Sequence, residues 1–282
     1  MIVPGSASQS LAAALADELD EPLAPVEFER FPDGELIARV GDVSPERAVV
    51  VASTPTSDAH VELLQLQDAA REAGAEEVVT VLPYMGYARQ DEAFKAGEPV
   101  SARAMARAIS TGADRTLVVN PHEDAVTDWF EPAATAVDAG ACLAEPLPGD
   151  LAEPVFLSPD EGALDIAETV RDAYGAGETD YFEKTRHSGS EVEISPSDAA
   201  VDGRDVVVTD DIIATGSTMS EAVGILQDRG AARVFVTCVH PLLARNAPTK
   251  LARAGVEAVY GTDTLERAAS EVSAAPAVAE FL

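Results

Sequence analysis

The feature that most constrains the fold is an alternation. Short runs of β-branched and aliphatic residues recur along the chain, and most are followed by a segment with helical spacing. Residues 2–3 lead through Gly5-Ser6 into a helical pattern over 8–19, where Leu11, Leu15 and Leu19 fall at i, i+4 and i+8. Strand-like runs follow at 48–52, 78–82 and 116–119, with helical segments at 59–73, closed by Gly74, and at 101–110. After residue 154 the theme returns: strands at 155–157, 205–209, 233–239 and 258–260, helices at 162–174, 217–229 and near 244–254, and a last helical segment. Residues 180–183 and 191–194 bracket a polar loop, as the arms of a hairpin would. Such alternation predicts mostly parallel sheets with helices on both faces. The proline-containing, acidic stretch 138–154 reads as a connection. The expectation is an α/β protein of two similar domains, residues 1–143 and 144–282, the last helix packing back on the first domain.

Composition narrows the function classes. Hydrophobic residues make up 46% of the 282 residues and aromatics only 5%, so the core must be built from Val, Ala, Leu and Ile, which suits buried parallel strands. The chain carries 50 acidic against 19 basic residues, a net charge of -31. The apolar runs exclude disorder as the reason. A solvated acidic surface in a high-salt cytoplasm fits better, and it argues against a nucleic-acid partner. Cys142 and Cys238 are too few for a disulfide framework. No apolar run reaches transmembrane length and no signal-peptide pattern opens the chain, so a cytoplasmic protein with no membrane partner is expected.

The richest segment is Val206-Val207-Val208-Thr209-Asp210-Asp211-Ile212-Ile213-Ala214-Thr215-Gly216-Ser217-Thr218. A buried strand ends in two carboxylates, and a short loop opens a helix. Free N–H groups and the positive helix end attract a phosphate. Gly216 allows close backbone approach, and Thr215, Ser217 and Thr218 add hydroxyls. The acid pair would repel phosphate but can accept hydrogen bonds from vicinal hydroxyls or reach a metal. A phosphate beside a diol describes a ribose phosphate. The carboxyl end of a parallel strand is where such sheets bind ligands. The segment resembles the phosphoribosyl-binding loop shared by type I phosphoribosyltransferases and ribose-phosphate pyrophosphokinases.

The other motifs favour the second family. Phe31-Pro32-Asp33-Gly34-Glu35 resembles its adenine-binding loop, with a ring to stack on a base and carboxylates to accept from an exocyclic amine. Pro83-Tyr84-Met85-Gly86-Tyr87-Ala88-Arg89-Gln90-Asp91 resembles its tyrosine- and arginine-containing stretch; Arg89 offers a planar fork to phosphate oxygens and Gln90 an amide. Asn120-Pro121-His122 stands at the family's metal-binding position, although many members have Asp where Asn120 stands. Ser158-Pro159-Asp160 is similar to a family motif in which the carboxylate binds metal or a ribose hydroxyl. Lys184-Thr185-Arg186-His187-Ser188-Gly189 resembles the family's flexible catalytic loop. Ala214 departs from the Asp that bacterial members often carry. The closest likeness is to the short archaeal type, and the acidity suggests a halophile.

The resemblance implies an enzyme of nucleotide biosynthesis that moves the pyrophosphoryl group of Mg-ATP to the 1-hydroxyl of ribose 5-phosphate. It implies ATP on Phe31, Asp33, Gly34, Glu35, Arg89, Gln90 and Asp91, spanning the cleft between the domains. Ribose 5-phosphate would lie on Arg186, Asp210, Asp211 and Ala214 through Thr218, with Mg²⁺ near His122 and Asp160. Lys184 and Arg186 would stabilise the transition state. A homo-oligomer is implied as well, with the ATP site borrowing residues from a neighbouring subunit. Two rivals remain at this stage: a type I phosphoribosyltransferase and a non-catalytic regulatory paralogue.

Overall fold

The computed structural model describes residues 1–188, 191–196 and 199–282, with side chains over 183–198 left out. It divides into two units. The first comprises residues 1–139, 263–266 and 273–282; the second comprises 140–262 and 267–272.

In the first unit the chain runs through β1 (Ile2–Pro4), α1 (Gln9–Leu19), β2 (Val26–Arg30), β3 (Leu36–Val40), β4 (Arg47–Val51), α2 (Ser57–Glu72), β5 (Glu77–Leu82), α3 (Ser101–Ser110), β6 (Arg115–Val119) and β7 (Thr135–Val137). The sheet has the order β1-β4-β5-β6-β7, and every pairing is parallel. Its strands are valine-rich, and consecutive residues such as Val49, Val50 and Val51 are all buried. Burial of both faces is what a parallel strand covered on each side requires. Leu63, Leu66, Ala102, Ala106 and Ile109 from α2 and α3 join this core. β2 and β3 form a separate antiparallel hairpin.

The second unit holds β8 (Val155–Ser158), α4 (Leu164–Tyr174), β9 (Glu178–Ser188), β10 (Glu191–Pro196), β11 (Asp205–Ile212), α5 (Ser217–Asp228), β12 (Arg233–His240), α6 (Ala247–Ala254), β13 (Ala258–Thr262) and β14 (Ser270–Val272). The order is β10-β9-β8-β11-β12-β13-β14, parallel except for the β9–β10 edge. A last helix, α7 (Ala275–Ala279), belongs to the first unit and packs on α1.

The two units repeat one plan. Each contains five parallel strands in sequence order, and each inserts an antiparallel hairpin between the first and second of them; in the second unit one arm of that hairpin, β9, also joins the sheet as a sixth parallel strand beside β8. The expected α/β architecture with two similar domains is therefore the observed one. Three differences from the sequence reading have local causes. The polar segment expected to be a loop at 184–188 lies within β9, because its backbone pairs with β10 in the register Lys184 to Ile194 and Arg186 to Val192. Ladder hydrogen bonds are made by the main chain and tolerate polar side chains at a sheet edge. The helix expected near 244 starts at Ala247, because Leu243 and Arg245 adopt positive φ (44° and 59°) and interrupt it. The hairpin β2–β3 was not foreseen. Among the described residues no helix is long and apolar enough to cross a membrane.

Candidate active site

In the second unit the site is built where β11 hands over to α5. The strand is fully buried through Thr209, and its last residues emerge with Asp210 and Asp211 only partly exposed. The Asp211 N–H donates to Asp210 Oδ1 at 3.0 Å. Burial pushes the Asp210 carboxyl well above the usual carboxylate range, and the neighbouring Asp211 and Asp160 charges push it further. The Asp160 carboxylate, at the end of β8, is thus gathered with the acid pair. Ser158 Oγ donates to the Asp160 carbonyl at 2.6 Å and fixes that turn. Cys238 lies opposite Asp210 on β12; its thiol is raised by burial and then by the Asp210 charge.

The loop that follows is held from behind. Leu243 and Ala244 N–H groups donate to the carbonyls of Ile213 and Ala214, each at 2.8 Å. Gly216 is the N-cap of α5 with φ 67° and ψ 11°, a left-handed conformation that favours glycine. A Cβ there would also stand 3.2 Å from the Ala247 Cβ. No side chain caps α5, so its first N–H groups are not claimed by a capping hydroxyl. Thr215, Ser217 and Thr218 are exposed around the buried Gly216. The arrangement presents N–H donors, three hydroxyls and a helix dipole to an anion, with carboxylates next to it.

In the first unit two motifs converge on the start of α2. Phe31 to Glu35 forms the tip of the β2–β3 hairpin: the Phe31 N–H donates to the Glu35 carbonyl at 2.7 Å and the Gly34 N–H to the Phe31 carbonyl at 2.9 Å. Gly34 has φ 97°, and Glu35 N–H donates to Asp33 Oδ1 at 3.2 Å. Phe31 is 38% exposed, so its ring is open to a stacking partner. The hairpin is tied down by Arg30, which pairs with Asp58 at 2.6 Å. Tyr87, with φ 65°, is hydrogen-bonded through its hydroxyl to Ser57 Oγ at 2.8 Å. His60 packs its ring 5.4 Å from that of Tyr87, and burial lowers its pKa to about 4. Arg89 is exposed, and Asp91 is partly so. Gln90 Oε1 accepts from Ser101 Oγ at 2.5 Å, which leaves its amide nitrogen as the group to offer a ligand.

Asn120 has a structural task. Its Nδ2 donates to Asp138 Oδ1 and its Oδ1 accepts from the Ala139 N–H, both at 2.8 Å. An aspartate there would set two carboxylates against each other, which accounts for the amide. His122 is exposed in the loop after β6. It belongs to the first unit and Asp160 to the second. Among the described residues no group of three or more His, Cys, Asp or Glu side chains is disposed to hold a metal ion. Lys184 and Arg186 lie in β9, but their side chains fall outside the described residues, as does Gly189.

Residues 1–112 match the family profile described as the N-terminal domain of ribose phosphate pyrophosphokinase, and residues 139–266 match the phosphoribosyl transferase domain. A ribose-phosphate pyrophosphokinase of Halobacterium salinarum is 66% identical over 283 residues, covering 100% of both chains. The chain belongs to the ribose-phosphate pyrophosphokinase family. A second family member, from Methanosarcina mazei, is 46% identical over all of this chain and 94% of its own length. The crystal structure of phosphoribosylpyrophosphate synthetase from Mycobacterium smegmatis superposes with a TM-score of 0.84 at 29% identity, covering 100% of this chain and 96% of that one. Membership of the pyrophosphokinase family explains why the first unit carries motifs of its own beside a phosphoribosyl-type loop in the second. One polar residue at that loop escaped the sequence reading: Lys250 of α6, whose Nζ donates to Ser217 Oγ at 2.8 Å and to the Thr215 carbonyl at 3.2 Å.

Proposed function

We propose that this chain catalyses transfer of the pyrophosphoryl group of Mg-ATP to the 1-hydroxyl of ribose 5-phosphate, giving 5-phosphoribosyl 1-pyrophosphate and AMP. The observation that carries the reading is the β11–α5 junction. A helix without a side-chain cap, entered through a left-handed glycine and ringed by exposed hydroxyls, follows directly on an acid pair. The α5 N–H groups with Thr215, Ser217 and Thr218 bind the 5-phosphate, and Asp210 and Asp211 accept hydrogen bonds from the ring hydroxyls.

On the first unit, the exposed Phe31 stacks on adenine while Asp33 and Glu35 accept from its amine. Arg89 forks onto the phosphates and Gln90 contributes its amide nitrogen. The sugar O1 attacks the β-phosphorus, the bond to the α-phosphate oxygen breaks, and AMP leaves. Lys184 and Arg186 balance the charge that develops on the transferring group. Mg²⁺ is commonly bound through one or two carboxylates together with substrate phosphates. Asp160 is a carboxylate suited to that mode, and its cation would offset the charge crowded around Asp210. His122 is the second residue assigned near the metal. When bound, Mg²⁺ neutralises the triphosphate. The reading includes a homo-oligomer.

A phosphoribosyltransferase would use the Asp210 to Thr218 loop but would leave the first unit, with its match over residues 1–112, without a task. The deciding assay mixes the purified protein with ATP, Mg²⁺ and ribose 5-phosphate at high salt. AMP formation that depends on the sugar is expected. ATP turnover indifferent to the sugar, or pyrophosphate release that needs a nucleobase, overturns the proposal.

A further inference from the structure

The proposed sugar-phosphate cradle has an electrostatic difficulty. Asp160, Asp210 and Asp211 gather beside it, and the whole chain carries a charge of -31. A helix N-terminus offers roughly half an elementary charge, and that fades within a turn. In a chain this acidic, a full positive charge at the loop would add strongly to the hold on a dianionic phosphate.

The structure supplies one from α6. Gly216 has no Cβ, and this lets Ala247 at the start of α6 come within what would be 3.2 Å of such an atom. Lys250 lies three residues after Ala247, on the same side of the helix. Its Nζ reaches the cradle, donating to Ser217 Oγ at 2.8 Å and to the Thr215 carbonyl at 3.2 Å. Lysine is scarce here: the chain has only Lys95, Lys184 and Lys250. Thr215 Oγ1 lies 3.3 Å from the same Ser217 oxygen.

We infer that Lys250 is a phosphate-binding and positioning residue of the sugar-phosphate site, an inference that rests on the function proposed above. Two Lys250 N–H groups go to the loop and the third remains for a phosphate oxygen. Ser217 Oγ accepts from Lys250, so its own proton is left to donate either to an anion or to Thr215 Oγ1, 3.3 Å away. The ammonium both supplies charge and orients the hydroxyl as a donor. The close packing of Gly216 on Ala247 is what brings it there.

The test compares Lys250→Met and Lys250→Arg with the wild type at one fixed high salt concentration. Ribose 5-phosphate binding is measured by calorimetry, and KM is measured for both substrates. A charge-assisted hydrogen bond corresponds to about a 10- to 100-fold change in affinity. Lys250→Met is expected to weaken ribose 5-phosphate by that factor, with KM for ATP and the melting temperature nearly unchanged. Lys250→Arg recovers much of the loss. Inorganic phosphate, used as a competitor, weakens in parallel. Unchanged sugar-phosphate affinity in Lys250→Met overturns the inference. So does an equal loss for both substrates accompanied by a lower melting temperature, which would mark a merely structural lysine. Should Lys250→Met fail to fold, Lys250→Gln keeps a donor without the charge and is read the same way. Calorimetry needs no turnover, so it judges Lys250 even if the wild type forms no AMP, the outcome that would instead defeat the proposed reaction.

Discussion

Two strand-to-helix junctions of this chain contain similar residues and use them in opposite ways. Between β4 and α2 the sequence is Ala52-Ser53-Thr54-Pro55-Thr56. Ser53 Oγ donates to the Thr264 carbonyl at 2.6 Å, and Thr54 Oγ1 accepts from the Gly86 N–H at 2.9 Å. Thr56 caps α2 by accepting from the Ala59 N–H at 3.2 Å. Between β11 and α5 the sequence is Ile213-Ala214-Thr215-Gly216, and no side chain caps the helix. The first junction spends its polar groups on the fold. The second has its carbonyls tied back by Leu243 and Ala244 while its hydroxyls and helix end face outward. A Ser/Thr-rich turn becomes a binding loop when its side chains are not needed for capping.

The largest expected effect lies in neither junction. Lys184→Ala should lower turnover by about 10²–10³, the usual cost of removing one donor that acts on the transition state. The melting temperature should change little. Near-normal turnover would shift the rate-determining chemistry back toward the β11–α5 loop and remove Lys184 from the mechanism.

Asp210→Asn sharpens the contrast through pH. Burial and its carboxylate neighbours raise Asp210, so the folded chain holds a proton that the unfolded chain would release. Stability contributed by this group therefore falls as pH rises from the ordinary aspartate value, about 3.9, through the raised one. The asparagine variant should melt higher than wild type at neutral pH, and the gain should vanish below about pH 4. Its affinity for ribose 5-phosphate should fall by only a few-fold, because the asparagine oxygen keeps one acceptor for the ring hydroxyls. A variant no more stable at pH 7 would show that the acid pair is not strained.

The parallel sheets and the second junction were legible because their signals are local. Runs such as Val206-Val207-Val208 declare buried strands, and Gly216 with its flanking hydroxyls falls within a few residues of the acid pair. The β2–β3 hairpin was missed although Val26-Glu27-Phe28-Glu29-Arg30 alternates apolar and charged residues; β2 buries almost nothing, so the alternation marks no core face. β7 and β14, three residues each, are too short to establish a period. Lys250 gave no local sign either. It meets the β11–α5 loop at Ser217, 33 residues away in sequence, through a helix contact that only the tertiary fold creates.

The smallest effects test the comparison itself. Thr218→Ala in the outward-facing junction should raise KM for ribose 5-phosphate by a few-fold, roughly 1 kcal/mol of one neutral hydrogen bond, and leave the melting curve unchanged. Thr56→Ala in the self-capped junction should do the reverse. Loss of an N-cap costs about 1 kcal/mol of stability, and the Thr56 oxygen is committed to Ala59 rather than to a ligand. Denaturant melts should therefore shift for Thr56→Ala with both Michaelis constants unchanged. The pair is informative because the two substitutions remove the same hydroxyl from the same kind of turn. If Thr56→Ala weakened sugar-phosphate binding as much as Thr218→Ala does, capping would not distinguish the junctions. The phosphate site would then have to be sought at the start of α2 as well as at the start of α5.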